Sequence, residues 1–288
     1  NYDSANIIHS NGKFYLLVGT STSNRDHFYI VDAKTLYYEN SAVVGANLSG
    51  LTILNEQYGL VTGDGIRRID LKSLNNVRIK NERMLCFYNS IIYNGKVLSN
   101  DTYKDESKVK YYDVNELIAA KEGEAPAVTE LDIIQKQKIN FVLAKDGNVY
   151  TLESADNGCN IVKIKNDFTL EKVFANFQPA KGPYHSSPTI GMVASETENI
   201  IYLVSTDGAI YKYILGDSDS LKAPFIAAES GVSITAPLQL NQQSGELYVT
   251  YTEELKDESK IVVYSKDGKA LHTVDCGESV PSQILFNN

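Results

Sequence analysis

The sequence predicts an all-β fold, a single β-propeller of four-stranded blades that spans residues 1–288 and contains six recognisable repeats. Short runs of β-branched and aromatic residues recur along the chain and are separated by turn residues. One charged turn that leads into a strand, 104–112 (KDESKVKYY), returns 152 positions later as 256–264 (KDESKIVVY). Internal repetition of this kind is typical of propellers and other repeat folds.

The predicted second strands of the six units recur at intervals of 45, 37, 53, 52 and 46 residues. This is the spacing of four-stranded propeller blades. A β-sandwich also contains many short strands, but it does not repeat an ordered group of four strands with matching turns. The centres of the predicted second strands are Tyr15, Leu60, Val97, Tyr150, Tyr202 and Tyr248.

Tight turns are predicted between the strands of the first three units. Asn11-Gly12 and Asn94-Gly95 are signals for two-residue hairpin turns, because Asn and Gly readily adopt positive φ. Asp32, Asp70 and Asp113 each close a predicted strand. We interpret these three as turn caps rather than catalytic carboxylates, because an Asp side chain accepts hydrogen bonds from the backbone of the turn that follows it.

One helix is predicted, over residues 114–121, where good helix formers follow the third unit's strands. Gly123 and Pro126 come directly afterwards and end it. Near the end of the chain, residues 281–286 are interpreted as the first strand of a further unit. This strand either closes a six-bladed ring beside Ile7-Ile8 or belongs to a seventh blade. We favour six blades and leave seven open.

Charge and composition restrict the partners. The formal net charge is −9, and nucleic acids and anionic membranes require clustered basic side chains, so neither is predicted as a partner. No stretch approaches the ~18 consecutive apolar residues of a membrane span. Membrane contact is expected only through an N-terminal lipid anchor that lies outside this chain. Cys86, Cys159 and Cys276 lack the spacing of a metal site and are predicted to be buried free thiols.

Three strand segments, 12–15 (GKFY), 245–249 (GELYV) and 29–32 (YIVD), resemble those of bacterial YncE-like propellers. The Tyr-rich, Trp-free sequence also resembles extracytoplasmic propeller lipoproteins of gut anaerobes. The resemblance covers nearly the whole chain and implies export to the periplasm or cell surface, with ligand or partner binding and no transferable catalytic motif. A quinoprotein-type dehydrogenase is disfavoured, because those propellers resemble one another through Trp-containing docking motifs.

The candidate ligand site is predicted from topology. Loops between second and third strands, and connections between blades, open on one mouth of a propeller, and ligands bind near that mouth. The connection 178–188 carries three prolines that stiffen it. It also contains Tyr184, whose ring can stack on a ligand, and His185, whose side chain is titratable. The predicted ligand-binding residues are Arg25, His27, Tyr103, Asn157, Tyr184 and His185.

Two functions remain open at this point. We favour a non-enzymatic binding or interaction module that recognises a small molecule, a glycan or a protein partner, because no hydrolase elbow, phosphate loop or zinc-protease motif occurs. The alternative is a propeller hydrolase or lyase with a composite site around His185, Tyr184 and a loop carboxylate. Asp217 and Asp219 are interpreted as a solvated turn rather than a calcium loop. No metal and no cofactor are predicted.

Overall fold

The structure of the chain is a computed structural model. It describes residues 4–19, 25–45, 48, 50–63, 65–80, 90–100, 107–124, 126–135, 140–180, 191–253, 258–281, 284 and 286. The fold is a six-bladed β-propeller with antiparallel blades, as predicted. Contacts divide the chain into two compact units, Asn1–Lys136 and Gln137–Asn288, with three blades in each. No helix within these described ranges is long and apolar enough to cross a membrane.

The first unit contains blades 1 to 3, and in each blade the strands pair in sequence order. Blade 1 consists of β1 (Ser4–Ser10), β2 (Lys13–Gly19), β3 (Asp26–Asp32) and β4 (Tyr38–Gly45). Blade 2 consists of β5 (Gly50–Ile53), β6 (Tyr58–Gly63), β7 (Gly65–Asp70) and β8 (Asn76–Lys80). Blade 3 consists of β9 (Ile91–Tyr93), β10 (Lys96–Asn100), β11 (Ser107–Asp113) and β12 (Val128–Gln135), with helix α1 (Val114–Ala119) before β12.

The predicted tight turns of this unit are confirmed. Asn11 and Gly12 have φ of 51° and 69°, and Asn94 and Gly95 have φ of 46° and 73°. Positive φ at both central residues is the geometry that lets a two-residue loop match the twist of its strands. The Asn-Gly pairs therefore fix the register of β1 against β2 and of β9 against β10.

The predicted Asp caps are also confirmed. Oδ1 of Asp32 accepts the backbone N–H groups two and three positions later at 3.1 and 2.7 Å, and Oδ1 of Asp70 does the same at 3.0 and 2.7 Å. Each turn then places a leucine at positive φ, 58° for Leu36 and 59° for Leu74. The two leucines differ in burial, since Leu74 is 6% exposed and Leu36 is 69% exposed.

Asp113 caps the N-terminus of helix α1, and its Oδ1 accepts the N–H groups of Asn115 and Glu116 at 2.8 and 3.1 Å. The helix ends at Ala119, two residues earlier than predicted. Ala120 adopts an extended conformation with ψ of 138°. Arg68, on β7, donates to the backbone oxygens of Leu117, Ile118 and Ala120. A guanidinium group from the neighbouring blade thus satisfies the last carbonyls of the helix.

Two hydrophobic clusters hold the first unit together. Between blades 1 and 2, Tyr15, Leu17 and Phe28 pack against residues of β6 and β7, and Leu74 belongs to the same cluster. Between blades 2 and 3, Leu60, Ile66 and Ile79 pack with Val97, Tyr112 and Leu117. Each blade therefore buries side chains from alternate positions of its middle strands against a neighbouring blade.

The second unit contains blades 4 to 6. Blade 4 consists of β13 (Val142–Leu143), β14 (Val149–Ala155), β15 (Gly158–Ile164) and β16 (Leu170–Phe177). Blade 5 consists of β17 (Met192–Ala194), β18 (Ile200–Val204) and β19 (Ile210–Ile214), followed by a 3₁₀ turn (Ser218–Leu221). Blade 6 consists of β20 (Val232–Ile234), β21 (Gln239–Leu240), β22 (Leu247–Glu253), β23 (Ser259–Tyr264) and β24 (Ala270–Gly277).

Blades 5 and 6 depart from four regular strands. In blade 5 the fourth position is a single bridge from Ile226 to Ile210. In blade 6 the first strand is interrupted between β20 and β21, where Pro237 cannot donate a backbone hydrogen bond. Asp217 caps the 3₁₀ turn and Asp219 lies in it; Asp217 accepts the N–H of Asp219 at 2.9 Å, in agreement with the turn interpretation.

Two amide side chains tie the first strand of blade 5 to its neighbours. Asn140, before β13, accepts the N–H of Met192 at 3.0 Å and donates to its carbonyl at 2.6 Å. Gln242, after β21, accepts the N–H of Glu196 at 2.8 Å and donates to the carbonyl of Ala194 at 3.0 Å. The short β17 is thereby held from both sides by groups that satisfy its backbone.

Two predictions in the second unit are wrong. The described residues among 278–286 form no strand; instead, the Pro281 carbonyl accepts from Thr250 at 3.4 Å and the ring of Phe286 lies 5.0 Å from that of Tyr248. These contacts place Pro281 and Phe286 beside β22. Cys276 is half-exposed rather than buried, because it lies on the outer strand β24, while Cys159 is buried as predicted. Cys86 lies outside the described residues.

Candidate functional site

We define the mouth end of a blade as the end at which its second strand leads into its third. Arg25 and His27 lie at the mouth end of blade 1, and Arg25 is exposed. The ring of His27 stacks on Tyr29, with centroids 5.9 Å apart and an interplanar angle of 21°. Tyr29 meets Tyr38 edge-on at 6.4 Å. His27 therefore belongs to an aromatic row across β3 and β4, which the sequence did not predict.

Asp26, which lies between Arg25 and His27, holds the start of β3 in place. Asp26 is 2% exposed, and its Oδ2 accepts the backbone N–H of Leu48 at 2.5 Å. Asp26 also pairs with Gly45 at the end of β4. A buried carboxylate that accepts a backbone N–H satisfies both groups. The mouth end of blade 1 is thus fixed to the connection that leads into blade 2.

Asn157 lies in the turn between β14 and β15, at the mouth end of blade 4. Its backbone carbonyl accepts a hydrogen bond from the side chain of Gln178. Gln178 begins the connection to blade 5, where its own carbonyl accepts the N–H of Thr206 at 2.9 Å. Asn157 is exposed and remains accessible, but its backbone has a structural role in joining two blades.

The other predicted ligand residues, Tyr103, Tyr184 and His185, lie outside the described residues. The convergence of the mouth residues and the composite hydrolase or lyase site at His185 therefore stay predictions. Within the described part of the chain, no group of three or more His, Cys, Asp or Glu side chains has the arrangement of a metal site.

The structure adds a basic cluster at the mouth end of blade 2 that sequence reasoning missed. Arg67 on β7 and Arg78 on β8 are directly paired across the strands, so their side chains leave the same face of the sheet. Both are half-buried, and the Nε atom of each is buried. Lys80 follows at the end of β8. We call Arg67, Arg78 and Lys80 the basic edge.

Two glycines bring backbone against the basic edge. A Cβ atom on Gly45 would lie 2.9 Å from Nε of Arg67, and one on Gly65 would lie 3.1 Å from Nε of Arg78 and collide with the Lys80 carbonyl. Because neither glycine carries a side chain, the two guanidinium groups can lie against the main chain. The Nε ends of Arg67 and Arg78 therefore lie against main chain rather than in solvent.

A compositional signal for this cluster is present in the sequence. All five arginines lie in the first 83 residues, and the remaining basic side chains are lysines. Arg is favoured over Lys where a planar, multidentate contact is made with an oxyanion or with carbonyl groups. The five arginines are Arg25, Arg67, Arg68, Arg78 and Arg83.

Comparison with known proteins places the chain in a family. The family described as "Domain of unknown function (DUF5074)" matches residues 2–287. The chain belongs to this family. No curated protein matches the DUF5074 chain.

Solved structures share the fold of the DUF5074 chain. A Bacteroides thetaiotaomicron VPI-5482 protein, described as quinonprotein alcohol dehydrogenase-like, is 99% identical with a TM-score of 0.95, over 99% of this chain and 68% of that one. A functionally unknown Desulfotomaculum acetoxidans DSM 771 protein is 11% identical, with a TM-score of 0.59, over 98% of this chain and 88% of that one. A streptogramin B lyase is 13% identical, with a TM-score of 0.53, over 93% of this chain and 81% of that one. The last two show the fold alone.

The pKa shifts of the described residues in the DUF5074 propeller all have the same direction relative to neutral pH. Among the described residues, each group whose surroundings shift its pKa is shifted away from neutral pH. The Ser205 hydroxyl and a backbone N–H lower the pKa of Asp207 at the mouth end of blade 5. Burial raises the pKa of Tyr202 to about 12 and that of Cys159 to about 11. These groups keep their ordinary charge at pH 7.

Proposed function

We propose that this protein is a non-enzymatic binding propeller that recognises a small molecule, a glycan or a protein partner at the mouth ends of its blades. The observation that carries the proposal is the direction of the pKa shifts. A general base, general acid or nucleophile works best with a pKa brought close to the operating pH. Those described carboxylates and tyrosines whose pKa is shifted, and Cys159, are shifted the other way, by turn contacts, ion pairs and burial.

The mouth ends have properties that suit recognition. Asp26 holds the backbone next to Arg25 to Leu48, and Gln178 holds the backbone of Asn157, so a partner would meet these two residues on backbone that is already held in place. Preorganisation of this kind reduces the entropy lost on binding. Arg25 and Asn157 are exposed beside these anchors and supply hydrogen-bonding groups.

Titration calorimetry of the 288-residue chain against a panel of metabolites and glycans tests this proposal. We expect at least one compound to bind with saturable heat and to be recovered unchanged. An Arg25→Ala and Asn157→Ala double variant should bind it more weakly. Conversion of a bound compound during the titration, detected by mass spectrometry, would replace the binding proposal with the enzymatic one.

We further propose, from the resemblance to extracytoplasmic propeller lipoproteins, that the protein works in the periplasm or at the cell surface of a bacterium. Protease shaving of intact cells, followed by immunoblotting of the tagged natural protein, tests this. Protection equal to that of a cytoplasmic marker, both before and after the outer membrane is permeabilised, would contradict it.

A further inference from the structure

Exposed apolar side chains are concentrated at the outer strand of blade 1. Among the described residues, ten large hydrophobic side chains are exposed, and four of them lie between positions 36 and 43, with exposures from 49% to 77%. Single exposed apolar residues are ordinary, but a group of them marks a contact surface. We call β4 (Tyr38–Gly45), together with the exposed side chains of Leu36, Tyr37, Tyr38 and Val43, the blade 1 edge.

The backbone of β4 has a side that can accept another strand. Within the described residues, β4 is the last strand of its sheet and pairs with β3 alone. The outer side of such a strand presents a row of N–H and C=O groups that can pair with a strand from another molecule. β4 has eight residues, which is enough for several of these hydrogen bonds. The blade 1 edge therefore combines main-chain groups with apolar side chains, and strand addition uses both.

β4 is less protected against strand addition than the other outer strands. Proteins protect sheet edges with charged side chains. The outer strands β8, β12 and β16 each carry two charged residues, whereas β4 carries only Glu39. Glu39 is also neutralised within its own blade, because its Oε2 lies 2.7 Å from Nζ of Lys13. β24 carries one charged residue too, Asp275, which has no cationic partner among the described residues. Register shifts occur in the pairing of all five outer strands, so they do not distinguish β4.

We propose that β4 pairs antiparallel with β4 of a second copy of this chain, in a weak two-fold dimer. Two copies related by a two-fold axis present the same surface to each other, so the apolar side chains of one edge meet those of the other. The paired Glu39 brings no uncompensated like charge to this contact. Tyr38 is already held in place, since its hydroxyl lies 2.9 Å from Oγ of Ser41 and its ring contacts Tyr29. Less entropy is then lost on association.

The exposed area sets the strength of the dimer. An aromatic side chain contributes about 150–250 Å² of contact surface. The four exposed residues therefore offer roughly 450 Å² per copy, or about 900 Å² between two copies, which is the size of a weak and transient interface. Leu36, Tyr37 and Tyr38 lie at the end of blade 1 opposite its mouth end. Binding at the mouth ends and pairing at the blade 1 edge are thus independent of each other.

Sedimentation velocity of the 288-residue chain, from about 5 to 500 μM, tests the proposal. We expect the sedimentation coefficient to rise with concentration toward that of a dimer, with a Kd on the order of 100 μM. Association should strengthen as NaCl is raised, because each copy has a formal net charge of −9 and salt screens their repulsion. A monomer at every concentration, growth beyond the dimer, or weakening by salt would each overturn the proposed contact.

A matched pair of variants identifies the strand that dimerises. Val43→Lys should weaken association more than tenfold, because it places a charge on the edge of both copies. Val274→Lys is the control, since Val274 is 52% exposed against 49% for Val43 and lies on β24, the outer strand of blade 6. It should keep the affinity of the unsubstituted chain. Because both valines are exposed, each variant should keep its Tm within about 2 °C. Unchanged association of Val43→Lys, or an equal loss in Val274→Lys, would overturn the assignment to β4.

Hydrogen exchange distinguishes strand pairing from a contact made by side chains alone. The β4 amide groups that point away from β3 should exchange about fourfold more slowly at about 500 μM than at about 5 μM, because pairing protects them in the dimer. Val43→Lys should remove this difference, and Val274→Lys should keep it. Equal exchange of β4 at the two concentrations, in a chain that dimerises by sedimentation, would overturn the strand pairing.

Discussion

Leu36 and Leu74 provide a matched pair of truncations. Both occupy the same turn position after a capping Asp, with φ of 58° and 59°. Leu74 lies in the core between blades 1 and 2, whereas Leu36 is largely exposed. Replacement of each by Ala keeps a side chain at positive φ, so the backbone strain cancels when the two variants are compared. The difference between them isolates the contribution of burial.

The expected magnitude follows from that burial. Truncation of a buried leucine costs about 2–5 kcal/mol, because it removes apolar contact and leaves a cavity. Truncation of an exposed side chain changes stability by no more than about 0.5 kcal/mol. We therefore expect Leu74→Ala to lower the free energy of unfolding by about 3 kcal/mol more than Leu36→Ala. For a chain of this length, this corresponds to a difference in Tm of about 6 °C.

Urea unfolding followed by circular dichroism, together with calorimetry, measures both variants against the unsubstituted chain. The dependence of free energy on urea should stay the same in all three proteins, so that only the midpoint moves. Equal losses in the two variants would refute the reasoning. They would show that Leu36 is covered in solution by something that buries it as thoroughly as blade 1 buries Leu74.

Three further predictions concern single groups. Iodoacetamide at pH 8 should label Cys276 faster than Cys159, since the raised pKa leaves about one Cys159 thiol in a thousand ionised. Equal labelling rates of the two cysteines, followed by mass spectrometry, would contradict this. Asp113→Ala should cost about 1–2 kcal/mol at pH 7 through the lost helix cap. The ion pair of Asp113 with Lys96 on β10 and its hydrogen bonds from helix N–H groups lower the Asp113 pKa. The urea midpoints of the Asp113→Ala variant and the unsubstituted chain should therefore converge as pH falls below about 4. A constant difference between the two midpoints down to pH 2 would argue against this cause. Gly65→Ala should lower the free energy of unfolding by more than about 3 kcal/mol, because the new Cβ would meet backbone at a residue with positive φ. Gly12→Ala, where the new Cβ would lie in open space, should cost about 1 kcal/mol. Similar losses of Tm in the two variants would disprove the contact at Gly65.

The sequence predicted those parts of the fold that depend on neighbours along the chain. The Asn-Gly turn at Asn11 and the caps at Asp32, Asp70 and Asp113 follow from short-range hydrogen bonding, and all four are confirmed. The predicted end of helix α1 lies two residues beyond the observed end. Arg68, about 50 residues earlier in the chain, donates hydrogen bonds to the last carbonyls of the helix. No local pattern indicates such a contact.

The candidate site was less predictable for the same reason. His27 stays a predicted ligand residue, but its stacking on Tyr29 was not predicted, because the faces of Tyr29 and Tyr38 are set by strand register. The pairing of Arg67 with Arg78 depends on a register shift between β7 and β8, which composition cannot reveal. The restriction of arginine to the first 83 residues was the one visible signal, and it indicates a region rather than a geometry.

The attachment of blade 5 has a consequence for engineering. The backbone N–H of Ala180 bonds the carbonyl of Val204, and Met192 pairs with Leu203, so positions 180 and 192 rest on consecutive residues of β18. The chain between them starts and finishes at almost the same place on one strand. Loop-closure entropy grows slowly with length, by about 0.6 kcal/mol for each doubling. A change in the number of residues between Ala180 and Met192 should therefore cost little in loop-closure entropy, because β18 holds both ends in place.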